Sequence, residues 1–402
     1  MDDAVKYMQP MLMGEELTKD LSVLPPYDPS IRNASTSERL IELSRLYDVY
    51  CPSPMTEEVY CKLYLALLRS LQKKQTKIAT VQGNINRQGI SNGVIGGSDS
   101  FTILGLSGIG KSSAISRAIS LIAPKPIIIT QEPYARIAPI ITVQTPYDCS
   151  VKGLLLEILR ETDKVLGTDY HSYAIRARAT TDALIGSVAN VCLHSVGLLI
   201  LDEFQNVCGK NGSTLMGTLL NLINSSGISV AMVGTLETKT FFSEASFQMS
   251  RRSLGLEYGV LPLDKYFMSL CRTLTSFLYV RNDFTITDEI IQWLYSHSNG
   301  VTSVAVSLVK DAQEIAILDG TETLSIASLN KAYNQRLALL HNHIEFKPNK
   351  HSPTQSTVPS IEPTKEIDAD NYISNMIVQS KKNGEDLLSL LQEQISIIEV
   401  LV

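Results

Sequence analysis

The chain is 402 residues long, 44% hydrophobic and 19% charged, with a formal net charge of −6. That composition describes a folded globular protein large enough for two or three domains. It excludes a membrane-spanning chain: no stretch reaches the ~18 consecutive apolar residues that a spanning helix requires, and the start, MDDAVKYMQPML, lacks the basic region and apolar core of a secretion signal. The six cysteines, Cys51, Cys61, Cys149, Cys192, Cys208 and Cys271, show no CxxC spacing, which reads as reduced structural thiols in a cytoplasmic protein rather than a metal or disulfide framework. Residues 345–402 hold five Lys against nine Asp or Glu, a net −4, so the first 344 residues carry only −2. Whole-chain charge therefore understates how basic a local surface can be.

Residues 1–80 read as a mostly helical N-terminal region. SERLIELSRLYDVY and, after a Pro-Ser-Pro break, TEEVYCKLYLALLRSLQKK both space their apolar residues for helices, with Thr56 at the start of the second. VQGNINRQGISNGVIGGSDS, rich in Gly, Asn and Ser, reads as a loop. From residue 101 strands alternate with helices, the signature of a parallel sheet flanked by helices. FTIL over 101–104 is the first strand. PIIIT over 126–130 and APIITVQ over 138–144 flank Arg136 and could form an inserted hairpin, the second being the core strand. VKGLLLEILRETDKVL and the segment near 172–195 are amphipathic helices, GLLILDEF and ISVAMVGT are buried-strand runs, and LEYGVLPL is the last strand.

After Pro262 come four helical segments, near 264–280, 286–298, 302–318 and 325–343. The expected organisation is thus a helical region over 1–80, an α/β core over 81–262, an all-helical lid over 263–344, a disordered linker over 345–386 and an apolar end over 387–402. That end, DLLSLLQEQISIIEVLV, reads equally as a helix docked on its own domain or as a tethered partner-binding segment.

The sharpest signal is GLSGIGKSSA, in which Gly105-x4-Gly110-Lys111-Ser112 is a complete P-loop signature. Gly105, Ser107, Gly108, Ile109, Gly110, Lys111, Ser112 and Ser113 form a backbone cradle for phosphates that leads into a helix N-terminus. Lys111 is placed to reach the β- and γ-phosphates of ATP, and the Ser112 hydroxyl to ligate Mg²⁺. LLILDEF carries Asp202 and Glu203 to the end of a buried strand: Asp202 as the second Mg²⁺ residue, Glu203 as the general base for an attacking water. Thr235, at the end of VAMVGT, is placed to bond the γ-phosphate or that water, the role called sensor 1. Arg251 and Arg252, before the last strand, are placed as an arginine finger acting on a neighbouring subunit.

Strand, P-loop, Asp-Glu strand, Thr-ended strand, arginine pair and helical lid, in that order, resemble the layout of an AAA+ P-loop ATPase. Within it, FTILGLSGIGKSSAISR, TPYDCSVKGLLLEILRETDKVLGTDY, VGLLILDEFQNV and SNGVTSVAVSLVKDAQEIAILDG resemble the TnsC/TniB family, AAA+ regulators of DNA transposition, over roughly residues 35–345. The resemblance implies a bacterial, ATP-dependent protein that assembles on double-stranded DNA as a ring or helical filament of about six or seven subunits per turn. It implies partners in a transposase and a target-selection protein of the TniQ type, with ATP hydrolysis resetting the assembly. It also implies DNA contacts at Lys152 and at Thr168 or Tyr170, the lysine acting as a phosphate point charge. The lid start, Ser298-Asn299-Gly300-Val301-Thr302-Ser303, departs from the AAA+ pattern in lacking the usual sensor-2 arginine, which points to slow turnover. A STAND-type signalling ATPase and a helicase-loader-like AAA+ protein remain open alternatives.

Overall fold

The computed structural model describes residues 4–86, 100–131, 134–147, 150–207, 212–239 and 255–337. Arg251, Arg252, Cys149, Cys208 and the expected linker and terminal segment lie outside the described residues. Six strands form one sheet: β1 Phe101–Gly105, β2 Ile128–Gln131, β3 Tyr134–Gln144, β4 Val196–Asp202, β5 Ser229–Gly234 and β6 Leu256–Tyr258, in the order β2-β3-β4-β5-β1-β6. All neighbours run parallel except β2 and β3, which form the expected hairpin with Ile129 opposite Arg136. β3 then continues into the core, where Ile141 pairs with Leu199 of β4. Every residue of β1 and β5 is buried, as is β4 up to Leu201. Strands buried along their whole length fit a sheet covered on both faces.

One face is covered by α3 (Pro54–Asn86) and α4 (Lys111–Ile122), whose Leu63, Leu67, Ile115 and Ala118 share a core with Phe101, Ile103, Leu198 and Ile200. The other is covered by α5 (Val151–Leu166), α7 (Thr181–Ser195) and α8 (Gly212–Ser226), packed against Ile141, Leu199, Leu201 and Val230. α5 has the bounds that its sequence predicts. The Ser150 hydroxyl accepts the Gly153 N–H at 2.8 Å at its start, and Gly167 ends it in the left-handed conformation. After the sheet, α9 (Lys265–Ser276), α10 (Asp288–Ser298), α11 (Thr302–Leu318) and α12 (Ile326–Arg336) build a separate helical core around Phe267, Leu294, Leu308 and Ala312.

Four expectations change. α3 runs to Asn86, six residues into the stretch read as a loop, because extending a formed helix adds a hydrogen bond per residue and Gly83 opposes this by only about 1 kcal/mol. Its start lies earlier as well: Pro54 takes the first helical position, and Thr56 sits two residues inside, where its hydroxyl accepts the Ser53 N–H at 3.2 Å. The segment near 172–195 is two helices, α6 (Tyr170–Arg176) and α7. Arg178 turns left-handed between them (φ 49°), and the Thr180 hydroxyl caps α7 by accepting the Ala183 N–H at 3.3 Å. β6 stops at Tyr258, because the Leu261 N–H leaves the sheet to donate to the Gly300 carbonyl at 3.1 Å.

The first helices divide their packing between two cores. α1 (Gly14–Leu21) contributes Leu17 and Leu21 to the core shared by α3, α4 and the sheet. α2 (Thr36–Leu43) and the turn after it instead place Leu43, Leu46 and Val49 among the C-terminal helices. There Arg39, 1% exposed, makes a two-pronged bond to Glu322 at 2.6 and 2.7 Å and donates to the Tyr279 carbonyl at 3.1 Å. Residues 44–53 therefore pass from one core to the other, and their crossing point helps to build the site.

Candidate nucleotide-binding site

β5 lies between β1 and β4, so the ends of these three strands stand side by side on the carboxyl edge of the sheet. The P-loop leaves β1, Asp202 and Glu203 end β4, and Thr235 follows β5. Ser107, Gly108, Gly110, Lys111, Ser112, Ser113, Asp202, Glu203 and Thr235 line one cavity of about 300 Å³, together with Gln205, Gly234 and Ser303. Gly108 (φ 81°) and Gly110 (φ 93°) take backbone conformations that L side chains rarely adopt, which lets the loop curl round the cavity. Ile109 is buried and anchors the loop from the opposite side. Gly105 ends β1, and its carbonyl accepts the Lys111 ammonium at 2.8 Å, with the Leu106 carbonyl at 2.7 Å. No side chain caps α4, so its first N–H groups remain for a ligand.

The electrostatics are those of a site built for an ionic ligand. Burial pushes the Lys111 pKa down, against the pull of Asp202 and Glu203. Burial likewise pushes the Asp202 carboxyl up, against bonds from the Glu203 N–H and the Ser112 hydroxyl and the charge of Lys111. Glu203 holds a left-handed backbone (φ 53°) with its N–H donating to Asp202 Oδ1 at 2.9 Å. Thr235 Oγ1 is buried in the same cavity, with no hydrogen-bond partner among the described residues. An orphaned hydroxyl, a hydroxyl–carboxylate pair at Ser112 and Asp202, a cationic Lys111 and a glycine cradle together fit a magnesium–nucleoside triphosphate.

A second cavity, about 210 Å³, opens on the other side of Gly108–Gly110. Its walls are Tyr47, Val49 to Ser53 and Met55 from the N-terminal crossing, Leu261, Tyr266 and Leu270, and Thr302, Ser303, Val306 and Ser307 from α11. Its largely apolar lining, beside the phosphate cradle, suits a flat base. Cys51 lies in this wall and Cys271 close behind; burial raises both thiols, Cys271 to about 12, as expected of structural thiols. The lid meets the P-loop here: the Gly108 carbonyl accepts the Thr302 hydroxyl and the Ser303 N–H, each at 3.1 Å. Two small hydroxyl residues thus tie the start of α11 to the P-loop.

The proposed DNA residues are not brought together. Lys152 is exposed in the first turn of α5, while Thr168 and Tyr170 lie beyond its far end, about 24 Å away along a 16-residue helix. The Thr168 hydroxyl donates to Asp163 Oδ1 at 2.6 Å, and the same carboxylate accepts the Tyr170 and His171 N–H groups, so Thr168 helps to fix the start of α6. Tyr170 is 42% exposed. Among the described residues no helix is long and apolar enough to cross a membrane.

Residues 95–242 match the family model described as AAA domain. The fold is the AAA+ P-loop fold. Among solved structures the chain is similar to Aeropyrum pernix ORC2 in ADPNP–ADP complexes, at 18% identity and TM-score 0.42, over 64% of this chain and 66% of that one. It is also similar to Aeropyrum pernix ORC1 in complex with DNA (14%, TM-score 0.43, 66% and 64%) and to Cdc6p from Pyrobaculum aerophilum (12%, TM-score 0.44, 68% and 67%). The chain thus spans about two thirds of the length of the solved proteins that it matches. No curated protein matches it.

Sequence reading missed Gln205, Ser303 and the Tyr47–Met55 wall. Gln205 stands two residues after Glu203 in DEFQNV, where its position was itself a signal. The wall has no local signature, because only tertiary packing carries it to the P-loop.

Proposed function

We propose that the protein is an ATP-hydrolysing AAA+ switch that binds double-stranded DNA and regulates transposition. The convergence of Lys111, Ser112, Asp202, Glu203 and Thr235 on one cavity carries the hydrolytic part of this reading. Lys111 and the cradle N–H groups would hold the phosphates, while Ser112 and Asp202 would hold a magnesium ion, which supplies neutralisation of phosphate charge when bound. Glu203 accepts a proton from a water aimed at the terminal phosphate, and the Thr235 hydroxyl orients that water, giving ADP and phosphate. Arg251 or Arg252 of a neighbouring subunit would supply further positive charge, which makes the assembled ring or filament the active form.

The DNA and transposition part rests on the resemblance of the four quoted stretches to TnsC/TniB and on the exposure of Lys152 at the carboxyl edge of the sheet. A lysine there adds affinity for phosphates without reading bases. Partners in a transposase and a TniQ-type protein follow from the same resemblance.

The test is electron microscopy of the protein with duplex DNA and a slowly hydrolysed ATP analogue. Nucleotide-dependent rings or filaments on DNA that vanish with Lys152→Glu and persist with Glu203→Gln are expected. Rings that ignore DNA would overturn the DNA reading in favour of a signalling ATPase, and preference for single strands would favour a helicase loader.

A further inference from the structure

We infer that Gln205 is the positioning residue of the hydrolytic centre, holding the Glu203 carboxylate in place by tying it to the end of β5. The inference rests on the reading above of Glu203 as general base.

Glu203 needs an external support. Its backbone lies in the left-handed region, its side chain is exposed at the mouth of the cavity, and its own N–H is spent on Asp202. A glutamate with free rotamers would meet an attacking water only part of the time, and misplacement by about 1 Å can cost roughly a hundredfold in rate. Gln205 supplies the missing restraint from both ends of one amide. Its Nε2 donates to Glu203 Oε2, and its Oε1 accepts the Thr235 N–H at 3.2 Å. The assignment of amide oxygen and nitrogen is fixed by these partners, since a carboxylate only accepts and a backbone N–H only donates.

The surrounding fold keeps Gln205 in this bridge. Phe204, beside it, is fully buried. On its other side the Asn206 N–H donates to the Glu203 carbonyl and its Nδ2 to the Thr145 carbonyl, each at 3.0 Å. Thr145 in turn donates its N–H to the Asp202 carbonyl at 2.9 Å. The residue before Thr235 is Gly234, and a Cβ there would stand 3.1 Å from Gln205 Oε1 and 2.8 Å from Thr238 Oγ1, so glycine leaves the amide its space. One side chain therefore connects the proposed base to the residue whose orphaned hydroxyl faces the same cavity.

The experiment compares Gln205→Met, Gln205→Glu, Glu203→Gln and the double variant Gln205→Met/Glu203→Gln in the full chain. It measures steady-state ATP turnover together with the Kd for a slowly hydrolysed ATP analogue, which also reports folding. Methionine keeps the shape and loses both bonds; glutamate keeps the acceptor for Thr235 and sets a like charge against Glu203. Gln205→Met is expected to lower kcat about 10- to 100-fold, with Kd within about twofold, and Gln205→Glu to lower kcat at least as much. The double variant is expected to be no slower than Glu203→Gln alone, because Gln205 acts through Glu203. Normal kcat in Gln205→Met, a Kd that worsens in step with kcat, or an additive loss in the double variant would overturn the inference while leaving Glu203 as base. Normal turnover in Glu203→Gln would instead overturn the hydrolytic reading, and the inference with it.

Discussion

The two sides of the P-loop are built in opposite ways. The phosphate side is polar and comes mostly from three strand ends that adjacent pairing sets next to one another, so short motifs specify it. The base side is mostly apolar and gathers pieces from residues 47–55, 261–270 and 302–307, which only the two-core packing of the N-terminal region brings together. The contrast shows that recognition of phosphate needs local backbone and charge, whereas recognition of a flat apolar group needs a surface that no single segment can supply.

The largest expected effect tests whether the base side depends on distant packing. Among the described residues, Arg39→Met leaves the Glu322 carboxylate with the Arg281 N–H at 3.3 Å and its guanidinium at 4.0 Å, and should destabilise the protein by about 3 kcal/mol, read from the urea midpoint. Loss of nucleotide affinity in Arg39→Met at temperatures where it stays folded would tie the remote pair to the base wall; unchanged stability would show that the two cores are independent of it.

Next, Lys111→Ala removes a charged donor from the phosphate side. It should weaken the triphosphate by about 2–3 kcal/mol, roughly a hundredfold in Kd, and the diphosphate by less. Cys51→Trp overfills the base side and should weaken both nucleotides equally by about 1–2 kcal/mol, measured by calorimetry. If Cys51→Trp discriminates ATP from ADP, the division into two sides breaks down.

A smaller change is expected at the seam between the two sides. Thr302→Val deletes one of the two donors to the Gly108 carbonyl and should loosen the lid by about 1 kcal/mol, seen as faster hydrogen exchange in α11 with the sheet core unaffected. The smallest is a pH effect. The bond from Arg39, aided by Arg281, holds the Glu322 carboxyl below its ordinary value of 4.5. A carboxyl depressed in the folded state stabilises above its unfolded pKa, and that contribution fades as pH falls through the folded value. The acid slope of stability against pH should therefore be shallower in Glu322→Gln than in the parent.

Much of this molecule was legible from residue order alone. The short, mostly apolar runs at 101–104, 197–201 and 228–233 read as buried strands, because each is bounded by turn signals and too short for a buried helix. The glycine spacing at 105–110 set the phosphate cradle, since backbone conformations at φ 81° and 93° strongly favour glycine. Ser150 and Gly167 set both ends of α5 by local hydrogen bonding. What local chemistry could not decide, tertiary contacts did. β6 ends early because Leu261 finds a partner in the lid, and Gln205 gains its role only because β5 folds in beside β4. Lys152 and Thr168, sixteen residues apart in the chain, are held at the start and beyond the far end of one helix. The sequence determined most elements and the cradle through short-range sterics and bonding; packing decided where some elements end and which distant side chains meet, because that depends on where the whole sheet sets its strands.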